Sequence, residues 1–300
     1  MLLKLITWNI NFIHDNWLER VENINKMLEN EIDDCDIIAL QEATLPFSDA
    51  VTDIHTFLKR TDMKYFGSPA LERNFLYNIG LEFFPKYKKY ISYCLDYIMN
   101  KLLSVCGWIG SNYGESLKTL YFDHPYLSLM LMILCPIIFI GSWFFIGMMT
   151  IVNKKISCNV KSKYIGKRPI QYTDFIYNKR LIHFVNVHLP PGTKEKDKIE
   201  RLNETKEIIE LYKDKENVII AGDFNEKAPS DIYVYMKKEG YKSCAFEKFG
   251  EEINTFPSNK PVKCIDFVMI KGNIKVKDVL ILSNPKASDH KGIKVTLDIE

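Results

Sequence analysis

The 300-residue chain lacks the features that mark a disulfide-linked or thiolate-metal protein. Its seven cysteines are odd in number, and they form neither a C-x-x-C pair nor a cysteine–histidine pattern with metal-ligand spacing. Reduced thiols in a cytosol-facing protein are the simplest account of them. The chain opens on a strand-like run, so we expect no signal peptide. It also has no internal repeat and no low-complexity linker, which leaves one large domain or two small ones.

A strong excess of either charge is absent as well. The net charge is +2, which gives no global signal for a polyanionic partner. Two local basic clusters exist, one at Lys86, Lys88 and Lys89 and the other from Lys154 to Arg168. A solvated face explains these clusters more simply than a phosphate-binding patch does. With 47% hydrophobic and 26% charged residues, the chain has enough apolar material for a substantial core.

Strand-like and helix-like segments both occur along the chain. Helical spacing of apolar residues predicts helices in "NWLERVENINKMLEN" (16–30) and "KIERLNETKEIIELYKDK" (198–215). Buried strands are predicted in "LLKLITWNI", "CDIIALQEA", "RLIHFVNVHLPPG", "NVIIAGDFNE", "CIDFVMIKG" and "HKGIKVTLDI". Several strands follow one another through short turns, so the pattern favours an α+β layered sandwich over a purely parallel sheet.

Polar residues stand where these apolar runs end. They are Asn9, Asn11, Glu42, His188, Asp223, Asn225, Asp266, Asp289 and His290. Loops at one edge of a sheet bring such groups together on a rigid base. Carboxylates, carboxamides and histidines without thiolates suit a hard cation, chiefly Mg²⁺ and also Mn²⁺. A metal held by one or two carboxylates, with positions open to water and phosphate, is a design for phosphoester hydrolysis.

Each of these residues also has an ordinary interpretation when taken alone. Asn9 and the "GDFN" pair of Asp223 and Asn225 are good turn formers. Glu42 could stabilise a helix start, and His188 could be a hydrogen-bonded core histidine. The functional interpretation depends on the order and setting of the residues, since all of them fall at strand ends in one succession.

That succession resembles the endonuclease/exonuclease/phosphatase superfamily. The matching stretches are "TWNIN" (7–11), "ALQEA" (39–43), "NVHLPPG" (186–192), "IIAGDFNE" (219–226), "CIDFV" (264–268) and "ASDHKGI" (287–293). The resemblance implies a four-layered α/β sandwich of two mainly antiparallel sheets flanked by helices. Within the superfamily, the tyrosyl-DNA phosphodiesterase branch is the most similar.

The resemblance also implies a role for each matched residue. Glu42 is the expected principal Mg²⁺ ligand, with Asn9 orienting metal and phosphate beside it and Asp289 near the metal. Asp223 is expected to orient and deprotonate the attacking water. The expected phosphate contacts come from Asn225, His188, His290 and Asn11, and Asp266 is expected to fix the tautomer of His290.

Two departures from the superfamily pattern stand out. Many relatives carry an acidic residue at the position of Asn11, and an amide there lowers the negative charge of the site. The strand of the type "G-x-A-I-L-S-K" that usually follows the glutamate motif is missing from its expected place. An insertion, 67–165, occupies that place between the predicted catalytic segments 1–66 and 166–300.

The insertion contains a long apolar run. Residues 126–152 carry no charge, and as one helix they would reach about 40 Å, against a hydrocarbon core of about 30 Å. We therefore expect a membrane segment at 126–152, with a buried core helix as the alternative. A single crossing would separate Glu42 from Asp223, so the segment must be a hairpin or the second crossing after 91–110. Lysines at both outer flanks place the catalytic domain on the cytosolic face of the membrane.

These observations predict a membrane-associated, Mg²⁺-dependent phosphoesterase, a hydrolase that uses metal-assisted attack of water on a phosphodiester or phosphomonoester. Its substrate would be a nucleic acid or a phospholipid or inositol headgroup, and its further partner the lipid bilayer. The alternative is a catalytically inactive, membrane-anchored scaffold that retains the fold. The joint presence of the carboxylates, amides and histidines argues for the enzyme.

Overall fold

The computed structural model describes residues 2–11, 17–44, 62–69, 146–166 and 168–300. Strands dominate these ranges. They are β1 (Leu2–Asn9), β2 (Ile37–Thr44), β3 (Met63–Pro69), β4 (Ile146–Asn153), β5 (Lys161–Ile165), β6 (Arg168–Tyr177), β7 (Arg180–His188), β8 (Val218–Asp223), β9 (Lys242–Ser243), β10 (Asp266–Lys271), β11 (Ile274–Leu282) and β12 (Gly292–Ile299). The helices are α1 (Trp17–Ile32), α2 (Glu195–Leu211), α3 (Asp231–Lys238) and α4 (Cys244–Phe249).

The strands form two six-stranded sheets. Sheet A has the order β11-β12-β1-β2-β4-β3, and sheet B has the order β5-β6-β7-β8-β10-β9. Each sheet contains one parallel pair, β1 with β2 and β7 with β8, and its other neighbours are antiparallel. The prediction of two mainly antiparallel sheets is therefore confirmed.

Three apolar cores stack these elements into layers. One core lies between the sheets and includes Leu5 and Phe184. A second joins the outer face of sheet A to α1 through residues such as Trp8 and Leu28. The third joins the outer face of sheet B to α2 and α3. Burial of both faces of each sheet is what makes the strands apolar along their length.

Strand β4 corrects the prediction of a membrane segment at 126–152. Residues 146–152 of that segment belong to β4, which pairs with β2 on one side and β3 on the other. Met149, Ile151 and Val152 are fully buried in the protein core. A strand that is covered on both faces reads as an apolar run, just as a membrane segment does. Strand β4 pairs with β2, the strand that carries Glu42, and so occupies the place from which the sequence predicts a strand to be missing.

The predicted membrane localisation, with the catalytic domain facing the cytosol, is contradicted. In the ranges that the structure covers, no helix combines the length and apolarity that a bilayer crossing requires. The possible first segment, 91–110, and the first part of the second, 126–145, lie outside the described residues. Strands β4 and β5 fall inside 67–165, the range predicted as the insertion.

Candidate active site

The inward-facing positions of the central strands change from apolar to polar toward one edge of the sandwich. Along β1, Leu3 and Leu5 face the core between the sheets, and the period of two then places Thr7 and Asn9 on the same face. Strand β7 repeats this with Ile182 and Phe184, followed by Asn186 and His188. Strand β8 ends in the same way at Asp223. The polar strand ends of the two sheets therefore meet at one edge.

The carboxylate of Asp223 is the centre of this cluster. Its Oδ2 atom accepts a hydrogen bond from Asn9 Nδ2 at 3.0 Å. The Nε2 atoms of His188 and His290 lie 3.7 Å and 4.0 Å from the same oxygen. The amide of Asn9 also donates to Glu42 Oε1 at 3.3 Å, so it bridges the two carboxylates. One buried oxygen thus has an amide and two imidazoles around it.

Local backbone geometry aims Asp223 and Glu42 into the cluster. Gly222 precedes Asp223 with φ +150°, and a Cβ there would lie 1.9 Å from the carbonyl oxygen of Val187. Only glycine permits that close approach of β8 to β7. Glu42 has φ +51° and sits where the pairing of β2 with β4 shifts register between Leu40 and Ala43. A bulge of this kind redirects a side chain, here the carboxylate of Glu42.

His290 is held by Asp266. Its Nδ1 atom lies 3.0 Å from Asp266 Oδ2, and Thr255 Oγ1 donates to the same oxygen at 2.5 Å. Burial opposes protonation of His290, but the charge and hydrogen bond of Asp266, together with Asp223, raise its pKa to about 10. The imidazole is therefore a cation at neutral pH, with Nδ1–H on Asp266 and Nε2–H directed toward the cluster.

Burial favours the neutral forms of both Asp223 and His188, so their pKa values shift in opposite directions. Burial, followed by the charge of Asp266, raises the pKa of Asp223 to about 7. Burial lowers the pKa of His188 well below its usual value, and the charges of Arg168 and His290 lower it further. At neutral pH the site therefore holds a neutral His188, a cationic His290 and an Asp223 that exchanges its proton near pH 7.

Three other predicted residues occupy the border of the cluster. The backbone N–H of Asn225 donates to Asp223 Oδ1 at 2.7 Å, and its side-chain amide donates to the carbonyl of Leu189 at 2.9 Å. Asn11 donates its backbone N–H to Asn9 Oδ1 at 2.9 Å. Asp289 has Oδ1 at 3.8 Å from Arg20 Nη2.

One group of three potential metal-binding side chains converges in the part of the chain that the structure describes. It consists of Asp223, Asp266 and His290, whose ligand atoms all lie within 4.8 Å of one another. Because His290 is protonated and bonded to Asp266, this group suits proton transfer better than metal ligation. Glu42 and Asn9 remain the hard-oxygen donors beside it, and the Glu42 side chain is 33% exposed.

Sequence reasoning missed a buried polar layer directly beneath the site. Gln41 on sheet A donates to Asn186 Oδ1 on sheet B at 2.8 Å, and both side chains are fully buried. Thr150 and Gln171 form a second bond across the sheets at 2.7 Å. These bonds fix the position of one sheet against the other. The available signal was Asn186, two positions before His188 in "NVH", since residues two apart share a strand face.

Arg201 is a second missed residue. Its fully buried guanidinium binds Glu226 and also the carbonyl oxygens of Pro190 and Gly192 at 3.0 Å and 2.9 Å. It thereby ties the loop after His188 to the loop after Asn225. A charged residue on an amphipathic helix gave no signal in the sequence for this role.

Comparisons with known proteins place the chain in a family. The sequence profile described as the Endonuclease/Exonuclease/phosphatase family matches residues 6–290. No curated protein matches the chain. Among solved structures, D. rerio TDP2 complexed with single strand DNA product has TM-score 0.57 and 12% identity, with 99% of each chain covered.

Two further solved structures are similar. The human Nocturnin catalytic domain with bound sulfate anion has TM-score 0.62 at 13% identity, with 100% of this chain and 94% of that chain covered. A family protein from Leptotrichia buccalis C-1013-b has TM-score 0.58 at 18% identity, with 99% of each chain covered. At these identities the similarity establishes the fold. With the family match over residues 6–290, the chain belongs to the endonuclease/exonuclease/phosphatase family and is a hydrolase that acts on phosphoester bonds.

Proposed function

We propose that the protein is a Mg²⁺-dependent phosphoesterase that cleaves phosphodiester or phosphomonoester bonds by attack of water. One observation carries this proposal: the strand ends of both sheets bring Asn9, His188 and His290 around the buried carboxylate of Asp223. Such an arrangement offers a base, a fixed cation and an amide donor within one small volume.

The donors beside this cluster fit a divalent cation. Glu42 and Asn9 provide carboxylate and amide oxygens, which are the ligands that Mg²⁺ prefers, and Mn²⁺ accepts the same set. Asp289 Oδ1 is buried and accepts no hydrogen bond from the described residues. We propose it as the third contributor to the cation site. When bound, the cation would polarise the phosphoryl group and lower the cost of forming hydroxide from water.

Asp223 is the proposed general base. Its carboxylate takes a proton from the attacking water, and its pKa of about 7 makes it a stronger base than an ordinary aspartate. The hydrogen bonds from Asn9 Nδ2 and from the backbone N–H of Asn225 hold the carboxylate in one orientation. Asn225 is also proposed to support the phosphate through its side-chain amide.

The imidazolium of His290 is the proposed stabiliser of the developing charge. Its Nε2–H group would donate to a non-bridging oxygen of the phosphate as negative charge grows there. Asp266 keeps His290 protonated and oriented, and Thr255 in turn fixes Asp266. His188 and Asn11 are proposed to border the bound phosphate.

For the substrate we propose a nucleic-acid phosphodiester, with an inositol or phospholipid headgroup as the other phosphoester class. The TDP2 structure contains a single-strand DNA product, which supports a nucleic acid as the substrate class. We also propose that the insertion between the two catalytic segments is confined to the residues between β3 and β4. Pairing of β4 and β5 within the sheets supports this narrower range.

The proposal is tested with the purified full chain on a panel of single-stranded oligonucleotides, an inositol polyphosphate and nitrophenyl phosphate esters. We expect hydrolysis of at least one phosphoester in Mg²⁺, none in excess EDTA, and recovery on adding Mg²⁺ back. Failure to cleave any member of the panel with Mg²⁺ or Mn²⁺ would favour the inactive scaffold.

A further inference from the structure

Arg168 is a partly buried cation at the candidate active site that none of the predicted roles uses. It is the first residue of β6, and its Nη1 atom lies 2.7 Å from Nδ1 and 3.0 Å from Nε2 of His188. Burial lowers its pKa, whereas the charges of Glu42, Asp223 and Glu204 raise it. The guanidinium therefore lies within the electrostatic reach of both site carboxylates.

No carboxylate in the described ranges comes within ion-pair distance of Arg168. Its contacts there are those of one nitrogen, Nη1, with the ring of His188, which is neutral. A guanidinium has five N–H donors in a planar fork, and this fork matches two oxygens of a phosphate. A positive charge that is partly removed from water without a salt bridge is costly, and a bound anion would offset that cost.

The turn that carries Arg168 is held by the helix layer. Gly166 joins β5 to β6 with φ +59°, and a Cβ at this position would lie 2.0 Å from Glu204 Oε1. Glu204 projects from α2 and is 5% exposed. Its carboxylate fills the space that any other residue at position 166 would need. Gly166 therefore packs against the Glu204 side chain of α2, and Arg168 lies two positions after Gly166.

We propose that Arg168 binds a phosphate oxygen of the substrate, and that Glu204 and Gly166 act as positioning residues for its side chain. This inference rests on the proposed phosphoesterase function and assigns a second cation to that site. His290 approaches Asp223 Oδ2 from sheet A, and Arg168 approaches through His188 from sheet B. A phosphate between them would meet a fixed positive charge from each sheet.

The test measures the binding of inorganic phosphate to the full chain by calorimetry, at fixed Mg²⁺, together with KM and kcat on the best phosphoester. In Arg168→Ala we expect the Kd for phosphate and the KM to rise about 10- to 100-fold, the range for a charge-assisted bidentate contact. Arg168→Lys should recover part of this loss, because it keeps the charge and loses the fork. Added guanidinium ion should lower the KM of Arg168→Ala and leave that of Arg168→Lys unchanged.

Lys163→Ala is the matched control. Lys163 lies on the same hairpin, is exposed and pairs with Glu207 at 3.1 Å, so the variant removes the same charge away from the site. Its Kd for phosphate should equal that of the wild type. If Arg168→Ala binds phosphate as tightly as the wild type, or loses only thermal stability, the inference is overturned.

Glu204→Gln tests whether Glu204 positions the side chain of Arg168. Loss of the carboxylate charge beside the turn should raise KM while kcat changes less, and an unchanged KM would overturn the role of Glu204. Failure of the two proposals can be told apart. If the wild type cleaves phosphoesters and Arg168→Ala has the same KM and the same Kd for phosphate, this inference alone is contradicted. A wild type that binds phosphate through Arg168 and cleaves nothing contradicts the proposed function alone.

Discussion

Asp223 and Asp266 are direct partners in the antiparallel register of β8 and β10, and both carboxylates lie against one imidazole ring. Asp266 Oδ2 is 3.0 Å from Nδ1 of His290, and Asp223 Oδ2 is 4.0 Å from its Nε2. Two buried carboxylates on adjacent strands repel each other, and the protonated ring between them reduces that repulsion. The pair therefore couples the basicity of Asp223 to the charge of His290.

This coupling predicts a bell-shaped pH dependence of kcat/KM. Activity should rise as Asp223 loses its proton, since the pKa of this carboxyl is raised to about 7, and fall as the pH passes the His290 pKa of about 10. Asp266→Asn removes a negative charge that raises both pKa values, so both limbs should move to lower pH. A neighbouring charge changes a pKa by about 1 to 3, and each limb should move by an amount in that range.

Asp174→Asn is the control for that pH profile. Asp174 contacts His183 at 2.6 Å in a second aspartate–histidine pair, which lies on β6 and β7 away from the site. Its removal should leave both limbs in place. If the alkaline limb of Asp266→Asn stays where it is in the wild type, His290 is not the group that limits activity at high pH.

The role of Asp223 as a base predicts a loss in turnover. Asp223→Asn keeps the shape of the side chain and removes the proton acceptor, so kcat should fall by about 10²-fold or more while KM changes little. The exposed Asp214 supplies the control variant Asp214→Asn, which should retain full turnover. Near-normal kcat in Asp223→Asn would mean that the "GDFN" stretch is only a turn.

Several residues of the candidate site could be found in the sequence because they stand at the ends of strands that are visible as apolar runs. "NVIIAGD" and "RLIHFVNVH" show where β8 and β7 end, and the polar residues at those ends mark the edge of the sheets. Arg168 escaped this reasoning because it closes the basic cluster from Lys154 to Arg168, which reads as a solvated face. The pairing of β6 with β7, in which Gln171 is opposite Asn186, brings its guanidinium to His188.

The wrong prediction of a membrane segment has a related physical cause. Both faces of β4 are buried, one toward sheet B and the other toward α1, so its sequence lacks the alternation of a half-exposed strand. Joined to the apolar residues before it, the strand extended an uncharged run beyond the length of a bilayer crossing. Sequence periodicity alone does not separate a strand buried on both faces from an apolar helix.

The Mg²⁺ requirement of the activity should depend on the carboxylate of Glu42. Glu42→Gln removes the partly exposed carboxylate beside Asn9, so the Mg²⁺ concentration that gives half-maximal activity should rise about 10-fold or more. The Kd for Mg²⁺, measured by calorimetry on the substrate-free protein, should rise in parallel. Glu207→Gln changes an exposed carboxylate on α2 and should alter neither value. An unchanged Mg²⁺ requirement in Glu42→Gln would place the cation elsewhere.

The assignment of β4 to the protein core predicts its effect on stability. Ile151 is fully buried on the face of sheet A that α1 covers. Ile151→Ala would leave a cavity there and should lower the free energy of unfolding by about 2 to 5 kcal/mol, as measured by denaturant titration of the full chain. Val234 on α3 is 60% exposed, so Val234→Ala should change the stability by less than about 0.5 kcal/mol. A residue outside the folded core would respond as Val234 does, so equal stabilities of the two variants would contradict the placement of β4 between β2 and β3.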